Sequence, residues 1–322
     1  MASFELGYAL SSEEHDPLHL VRWAQRAEAA GFQFALISDH YHPWIDQQGQ
    51  SPFVWSVIGA IAQATTTLRL GTGVTCPIAR LHPAIIAQAA ATAACLMPDR
   101  FFLGVGSGEN LNEHVIGAGW PAPTERQAML AEAISVLRLL WQGGEQSHCG
   151  EYFVVDQARL YTLPSAPPPL YVAASTAASA ELAGHAGDGM IGTAPEPALV
   201  AAFAAAGGKR KPRYGQLTVC VAGDDSEARR IAHRWWPTAA LAGNLSWEIK
   251  TPGLFAHAVK TVREEDVAES IVCGPDVRRH ADGIQKFLDA GYDHVYVHQV
   301  GPDQEGFFRF YEERVLPEFR QA

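Results

Sequence analysis

Four short stretches hold most of the residues able to do chemistry on a small molecule. They are Ser38-Asp39-His40-Tyr41-His42-Pro43-Trp44, Gly71-Thr72-Gly73-Val74-Thr75-Cys76-Pro77, Gly106-Ser107-Gly108-Glu109-Asn110-Leu111-Asn112-Glu113 and Ala173-Ala174-Ser175-Thr176. An imidazole such as His40 takes or gives a proton near neutral pH. Glu109 adds a carboxyl whose role, donor or acceptor, depends on its surroundings. Spacing excludes other chemistries. Gly104, Gly106 and Gly108 do not form Gly-x-Gly-x-x-Gly, because position 109 is Glu, so a dinucleotide fingerprint is absent. Ser107 is not a nucleophile elbow, since Val105 stands where that motif needs Gly. His40 and His42 share a face only in extended chain, which Pro43 disturbs, so no metal site is expected.

Each stretch follows an apolar run. Strands are expected at 4–8, 33–37, 68–74, 101–106, 169–174, 189–193, 217–222 and 294–299, each nearly continuous in apolar residues, as strands buried on both faces must be. The opening Met1-Ala2-Ser3-Phe4-Glu5-Leu6-Gly7 already reads as strand. Helical spacing follows at 17–30, 53–64, 83–96, 123–141, 176–186, 196–205, 225–238 and 303–320. Ser51-Pro52 reads as an N-cap with Pro at the first helical position, Gly31 and Gly291 as left-handed C-terminal caps, and Pro98 as a helix stop. Eight strand–helix units predict an α/β fold, a closed (β/α)₈ barrel of the TIM type, because an open sheet would leave two edges to cover. The active site of such a barrel lies at the C-terminal strand ends, where the four stretches fall. Two excursions, at about 142–168 and 239–293, interrupt what is otherwise one domain over 1–322.

Composition narrows the partners. Among 322 residues, 24 Lys+Arg stand against 35 Asp+Glu, a net charge of −11 that repels a nucleic-acid backbone. The dense basic run Lys209-Arg210-Lys211-Pro212-Arg213 is short and reads as a solvated loop. No apolar run is long enough to span a bilayer, and no charged-then-apolar leader opens the chain. Five scattered cysteines without a Cys-x-x-Cys pair argue against a disulfide framework, so a reduced, cytoplasmic protein is expected. The Ala-rich segment Ala84–Ala94 offers a close-packing face, either for a homodimer or for the helix's own seat on the barrel.

Taken together, Asp39-His40-x-His42-Pro43-Trp44, Gly106-Ser107-Gly108-Glu109-x-Leu111-Asn112-Glu113 and Leu170-Tyr171-Val172-Ala173-Ala174 resemble the F420-dependent glucose-6-phosphate dehydrogenase group, with its hydroxymycolic acid dehydrogenase branch, of the bacterial luciferase-like superfamily. Ser11-Ser12-Glu13-Glu14-His15 and Ser51-Pro52-Phe53-Val54-Trp55 resemble it too. The resemblance is dense over 5–193 and looser after about 195. It implies coenzyme F420 as cofactor and homodimers as the common assembly. It implies that His40 takes the hydroxyl proton as the substrate carbon gives up hydride, that Trp44 stands beside the reacting centre, and that Glu109 handles a proton at the deazaflavin ring. Asp39, Ser107, Gly108 and Asn112 match cofactor contacts, and Gly73-Val74 matches a non-prolyl cis peptide behind the ring. Ala173 and Ala174 match further cofactor contacts, and Ser175 and Thr176 fall where the cofactor phosphate is held. The Lys209–Arg213 run would then be a candidate to attract the acidic cofactor tail.

The chain departs from the sugar-phosphate members where they hold the substrate phosphate. One base falls on Glu196, another near Ser270, and no base stands near Leu245. A carboxylate there repels an anionic substrate, so an uncharged alcohol or carbonyl is expected instead of glucose 6-phosphate. The competing functions are an F420-dependent sugar-6-phosphate dehydrogenase, an FMN-dependent luciferase-like monooxygenase, and a non-catalytic F420 carrier.

Overall fold

The computed structural model describes residues 4–241 and 243–320; Met1–Ser3, expected to begin the first strand, lie outside the described residues. The strands are β1 (Glu5–Leu10), β2 (Phe34–Ile37), β3 (Arg69–Thr72), β4 (Phe101–Val105), β5 (Gln146–Cys149), β6 (Val154–Ala158), β7 (Leu170–Ala173), β8 (Gly189–Gly192), β9 (Arg213–Cys220), β10 (Val272–Cys273) and β11 (His294–Gln299). Eight of them pair in parallel in the order β1-β2-β3-β4-β7-β8-β9-β11, and β11 returns to β1. This is the closed barrel expected from the strand–helix count. β5 and β6 make an antiparallel hairpin inside the 142–168 excursion, and β10 adds to the C-terminal half of β9.

Inward side chains fill the barrel below the site. Phe34, Phe102, Tyr171 and Tyr214 stack with ring centroids 5.0–5.3 Å apart. Each such pair contributes about 0.5–1.5 kcal/mol beyond its area. Gly7 and Gly71 make room for this plug, since a Cβ at either would overlap the Phe34 or the Phe102 ring. Ala9, Leu36, Val74, Ile191 and Tyr296 pack above it and form the floor of an open cavity.

The outer helices begin and end for local reasons. Asp16 caps Pro17–Ala30 through the Leu18 and His19 N–H groups, and Gly31 closes it at φ 92°. Gly291 takes φ 99° after the helix Val277–Asp289. Ser51 does not cap its helix. Val54–Ala64 starts three residues later, and the Ser51 hydroxyl donates instead to the His40 carbonyl at 2.8 Å. The helix Pro83–Leu96 buries Ala87, Ala90, Ala91 and Ala94, while Ile85 and Leu96 stay exposed.

Two expectations about the later barrel need correcting. β9 begins at Arg213 and not at 217, because Arg213, Gly215 and Gln216 hide it from an apolar-run criterion. Gly215 is required by the Phe287 ring behind it, and Arg213 is held by the Asp293 carboxylate. The basic run therefore lies at the N-terminal mouth of the barrel. There the Lys211 ammonium donates to the Gly184 and Gly187 carbonyls at 2.7 and 2.8 Å. It is placed away from the rim, where a cofactor tail would lie. The helix Val277–Asp289, within the 239–293 span, seals the barrel with buried Ile284 and Phe287. Asp225–Trp235 instead shares a separate small core with Val267 and Ile271.

Candidate active site

The strand ends of β1, β2, β3, β7, β8, β9 and β11 surround a cavity of about 260 Å³. Of the residues singled out from sequence, His40, Trp44, Gly73, Val74, Glu109, Ala173, Ala174 and Ser175 line it. Asp39 and Asn112 stand behind the wall as buried supports, and Ser107, Gly108 and Thr176 lie beyond the lining.

His40 is held at both ring nitrogens. Nδ1 lies 3.1 Å from the His42 carbonyl, which can only accept, so Nδ1 carries the hydrogen. Nε2 lies 3.4 Å from Glu13 Oε1. The other Glu13 oxygen accepts from Ser38 Oγ at 2.5 Å and from Ser11 Oγ at 3.1 Å. Burial works to raise the Glu13 carboxyl, but the His40 charge and the Ser38 hydroxyl outweigh it and hold it below its ordinary value. Trp44 packs 5.0 Å from the His40 ring and edge-on to Phe255 at 5.3 Å.

Beneath the β2 and β3 loops lies a buried charge cluster. Arg80 donates from its guanidinium to Asp39 Oδ1 at 2.8 Å and from its backbone N–H to Glu113 Oε2 at 2.7 Å. Thr75 Oγ1 donates to Asp39 Oδ2 at 2.7 Å. Burial pushes the Glu113 carboxyl up to about 7 despite the pull of Arg80. Asn112 ties the loops together: its Oδ1 accepts from the Tyr41 and His42 N–H groups, and its Nδ2 donates to Glu109 Oε2 at 3.3 Å. Gly108 adopts φ 74° and a Cβ there would sit 2.6 Å from Cys76 Sγ, so the loop carrying Glu109 needs glycine.

Beside this wall the cavity is lined by Gly73, Val74, Ala173 and Ala174. The Gly73–Val74 peptide is cis. A Cβ on Gly106 would approach Val74 Cγ2 to 2.7 Å and Ala173 Cβ to 3.4 Å. At the edge, the helix Ala177–Ala186 starts with a capping box in which Ser179 Oγ accepts from the Ser175 and Thr176 N–H groups. Those two donors are thus occupied, and the first-turn N–H groups of Ala177 and Ala178 remain for an anion.

Several lining residues were missed from sequence: Glu13, Gln216, Trp236, Trp247, Tyr296 and His298. The rule about strand ends reaches Glu13 once it is applied to the first barrel strand as well as to the four with dense motifs. Trp236 and Trp247 come from the 225–276 region, where no strand marks their approach to the rim.

A parallel barrel whose C-terminal rim carries this cavity has it where barrel enzymes place their active sites, and the family comparison says which kind. The model described as luciferase-like monooxygenase matches residues 1–294, and the chain belongs to that family. It is 40% identical to an F420-dependent hydroxymycolic acid dehydrogenase of Mycobacterium tuberculosis, covering 99% of this chain and 89% of that one. It is 35% identical to an F420-dependent glucose-6-phosphate dehydrogenase of Beutenbergia cavernae, covering 98% and 97%. Among solved structures, an F420-dependent secondary alcohol dehydrogenase in complex with an F420-acetone adduct superposes with a TM-score of 0.91 at 29% identity, covering 98% of both chains.

Proposed function

We propose that this protein is an F420-dependent dehydrogenase that moves a hydride between an uncharged alcohol–carbonyl pair and the deazaflavin, with His40 as general base and Glu109 as proton donor to the cofactor ring. The observation that carries this reading is that the Glu13–His40 pair shares one cavity with a wall of Gly73, Val74, Ala173 and Ala174. That wall suits a planar tricyclic ring, because Gly73, Ala173 and Ala174 carry no side chain beyond a Cβ. Bound there, F420 supplies the carbon that accepts or returns the hydride. Ser175 and the helix start at Ala177 would hold its phosphate, and Asp39, Ser107, Gly108 and Asn112 act through the loops that carry His40 and Glu109.

The chain's own part is to manage protons. With Nδ1–H fixed on the His42 carbonyl, His40 presents Nε2 to the cavity beside the Glu13 carboxylate. A substrate hydroxyl entering there gives its proton to Nε2, and Glu13 steadies the imidazolium that results. Trp44, Trp236 and Trp247 exclude water and favour an apolar substrate body. Glu196 and Ser270 leave the sugar-phosphate reading without its bases, and no feature of the cavity favours FMN oxygen chemistry.

The apolar groove of Phe53, Trp55, Ile85 and Leu96 between Val54–Ala64 and Pro83–Leu96 supports homodimer formation. Sedimentation of the purified protein, with Ile85→Glu expected to shift it to monomer, tests that assembly. For the activity, F420 reduction is followed optically with a panel of secondary alcohols and with glucose 6-phosphate. Alcohol-dependent reduction is expected. Turnover of glucose 6-phosphate at micromolar KM would overturn the substrate assignment.

A further inference from the structure

Glu13 and Glu14 are consecutive, yet they turn to opposite neighbours of β1. Glu13 meets His40 beyond β2, and Glu14 meets His298 on β11. Glu14 Oε1 accepts from the Gly301 N–H at 2.9 Å, and its Oε2 lies 3.4 Å from His298 Nε2. Both of these facing atoms are buried and neither makes a hydrogen bond among the described residues, so the 3.4 Å contact is an ion-pair approach. The side chains of Glu14 and His298 are 1% and 5% exposed, and Trp236 packs edge-on to the imidazole at 4.6 Å.

The His298 ring nevertheless lines the same cavity as His40. A carboxylate at Nε2 draws the hydrogen there and leaves Nδ1 as the ring's open position. No protein group among the described residues bonds Nδ1. Burying an imidazole and a carboxylate costs desolvation, which apolar packing of the same shape would avoid. Hydride transfer does not need a second such pair, because the one hydroxyl proton it releases is already served by His40. That side of the cavity is otherwise lined by Trp236, Trp247, Tyr296 and the neutral amide of Gln216, so His298 is the ionisable group there that can meet a substrate oxygen.

We infer that His298, oriented by Glu14, anchors a second oxygen function of the substrate, so that the preferred substrates are diols or hydroxycarbonyl compounds and not simple alcohols. The inference rests on the hydride-transfer reading and names its substrate class. β2 and β11 flank β1, so the two histidines stand about two strand spacings, roughly 10 Å, apart at the backbone and converge into the cavity. Side chains reaching inward from that separation suit oxygens about two to four carbons apart. Glu14 is a positioning residue, and His298 is the group that touches substrate.

The test uses the F420-loaded protein with pentan-2-ol and pentane-2,4-diol as probes. The diol is expected to exceed the mono-alcohol at least about tenfold in kcat/KM, the value of one good hydrogen bond. His298→Phe should bring that ratio near one, and His298→Gln, which keeps a polar end, should retain most of it. A merely structural histidine would lower stability in both variants without moving the ratio. Independently of turnover, the His298 imidazole nitrogen resonance, assigned by its loss in His298→Gln, should shift with the diol and stay put with the mono-alcohol. An unchanged ratio in His298→Phe, or a resonance that ignores the diol, overturns the anchor. If no alcohol is oxidised at all, the hydride-transfer reading falls, and the resonance still decides whether His298 meets the diol.

Discussion

The two sides of the cavity are built by different physics. The wall from β2, β3 and β4 rests on buried charge: Arg80 bonds Asp39 through its guanidinium and Glu113 through its backbone N–H under the loops, and Asn112 locks the His40 and Glu109 segments together. The wall from β9, β11 and the 225–276 region rests on rings, with Trp236 against His298 and Phe255 meeting Trp44 from the first wall. A charge network tolerates little change, since removing one member leaves another buried and unpaired. Packed rings tolerate reshaping of similar volume. In the proposed function the first wall manages the protons, and the second sets which substrate fits.

The comparison is broken most directly at His40. His40→Ala should lower turnover about 10²–10⁴-fold, with F420 affinity held within a few fold in the same titration. Unchanged turnover would remove His40 from proton transfer. Arg80→Met comes next. It strands Asp39 and Glu113, and urea unfolding should show a loss of about 3–5 kcal/mol; a loss under 1 kcal/mol would mean the cluster does not hold the wall.

Glu113 sharpens the same point through pH. Its carboxyl sits at about 7 in the folded chain, raised from the ordinary value of 4.5. Between those values the folded state holds the proton more tightly than the unfolded one, so stability falls as pH rises through that window and levels off above it. Glu113→Gln should flatten the slope, which amounts to at most about 3 kcal/mol for a shift of this size. Equal slopes in the two proteins would contradict the assignment. The smallest effect is expected on the aromatic wall, where Trp236→Phe should raise KM for a bulky alcohol about three- to tenfold with kcat little changed. A fall in kcat alone would place Trp236 with the proton-handling wall.

Much of the first wall was legible in sequence because its strands are unbroken apolar runs that stop at dense polar clusters. His40, Trp44 and Glu109 could be picked out, and the motifs around them resemble one enzyme group closely enough to name a cofactor. The second wall was hidden for physical reasons. His298 stands inside β11 and not in the loop after it, so alternation and not a terminal motif marks it. β9 starts with Arg213, Gly215 and Gln216, each explained only by a tertiary partner: the Asp293 carboxylate, the Phe287 ring and the cavity. Ser51 carried every sign of a helix cap and serves the His40 carbonyl instead. Glu14 shows nothing in sequence to separate it from Glu13, and only the closed barrel sends the two to different histidines.

The measurement that bears most directly on the central claim is equilibrium binding of F420 and, separately, of FMN to the purified protein by optical titration. Tight F420 binding with much weaker FMN binding is the predicted result, and it should persist in His40→Ala, since that side chain serves the substrate. A preference for FMN, accompanied by oxygen uptake when the bound flavin is reduced, would contradict the account and assign this barrel to oxygen chemistry.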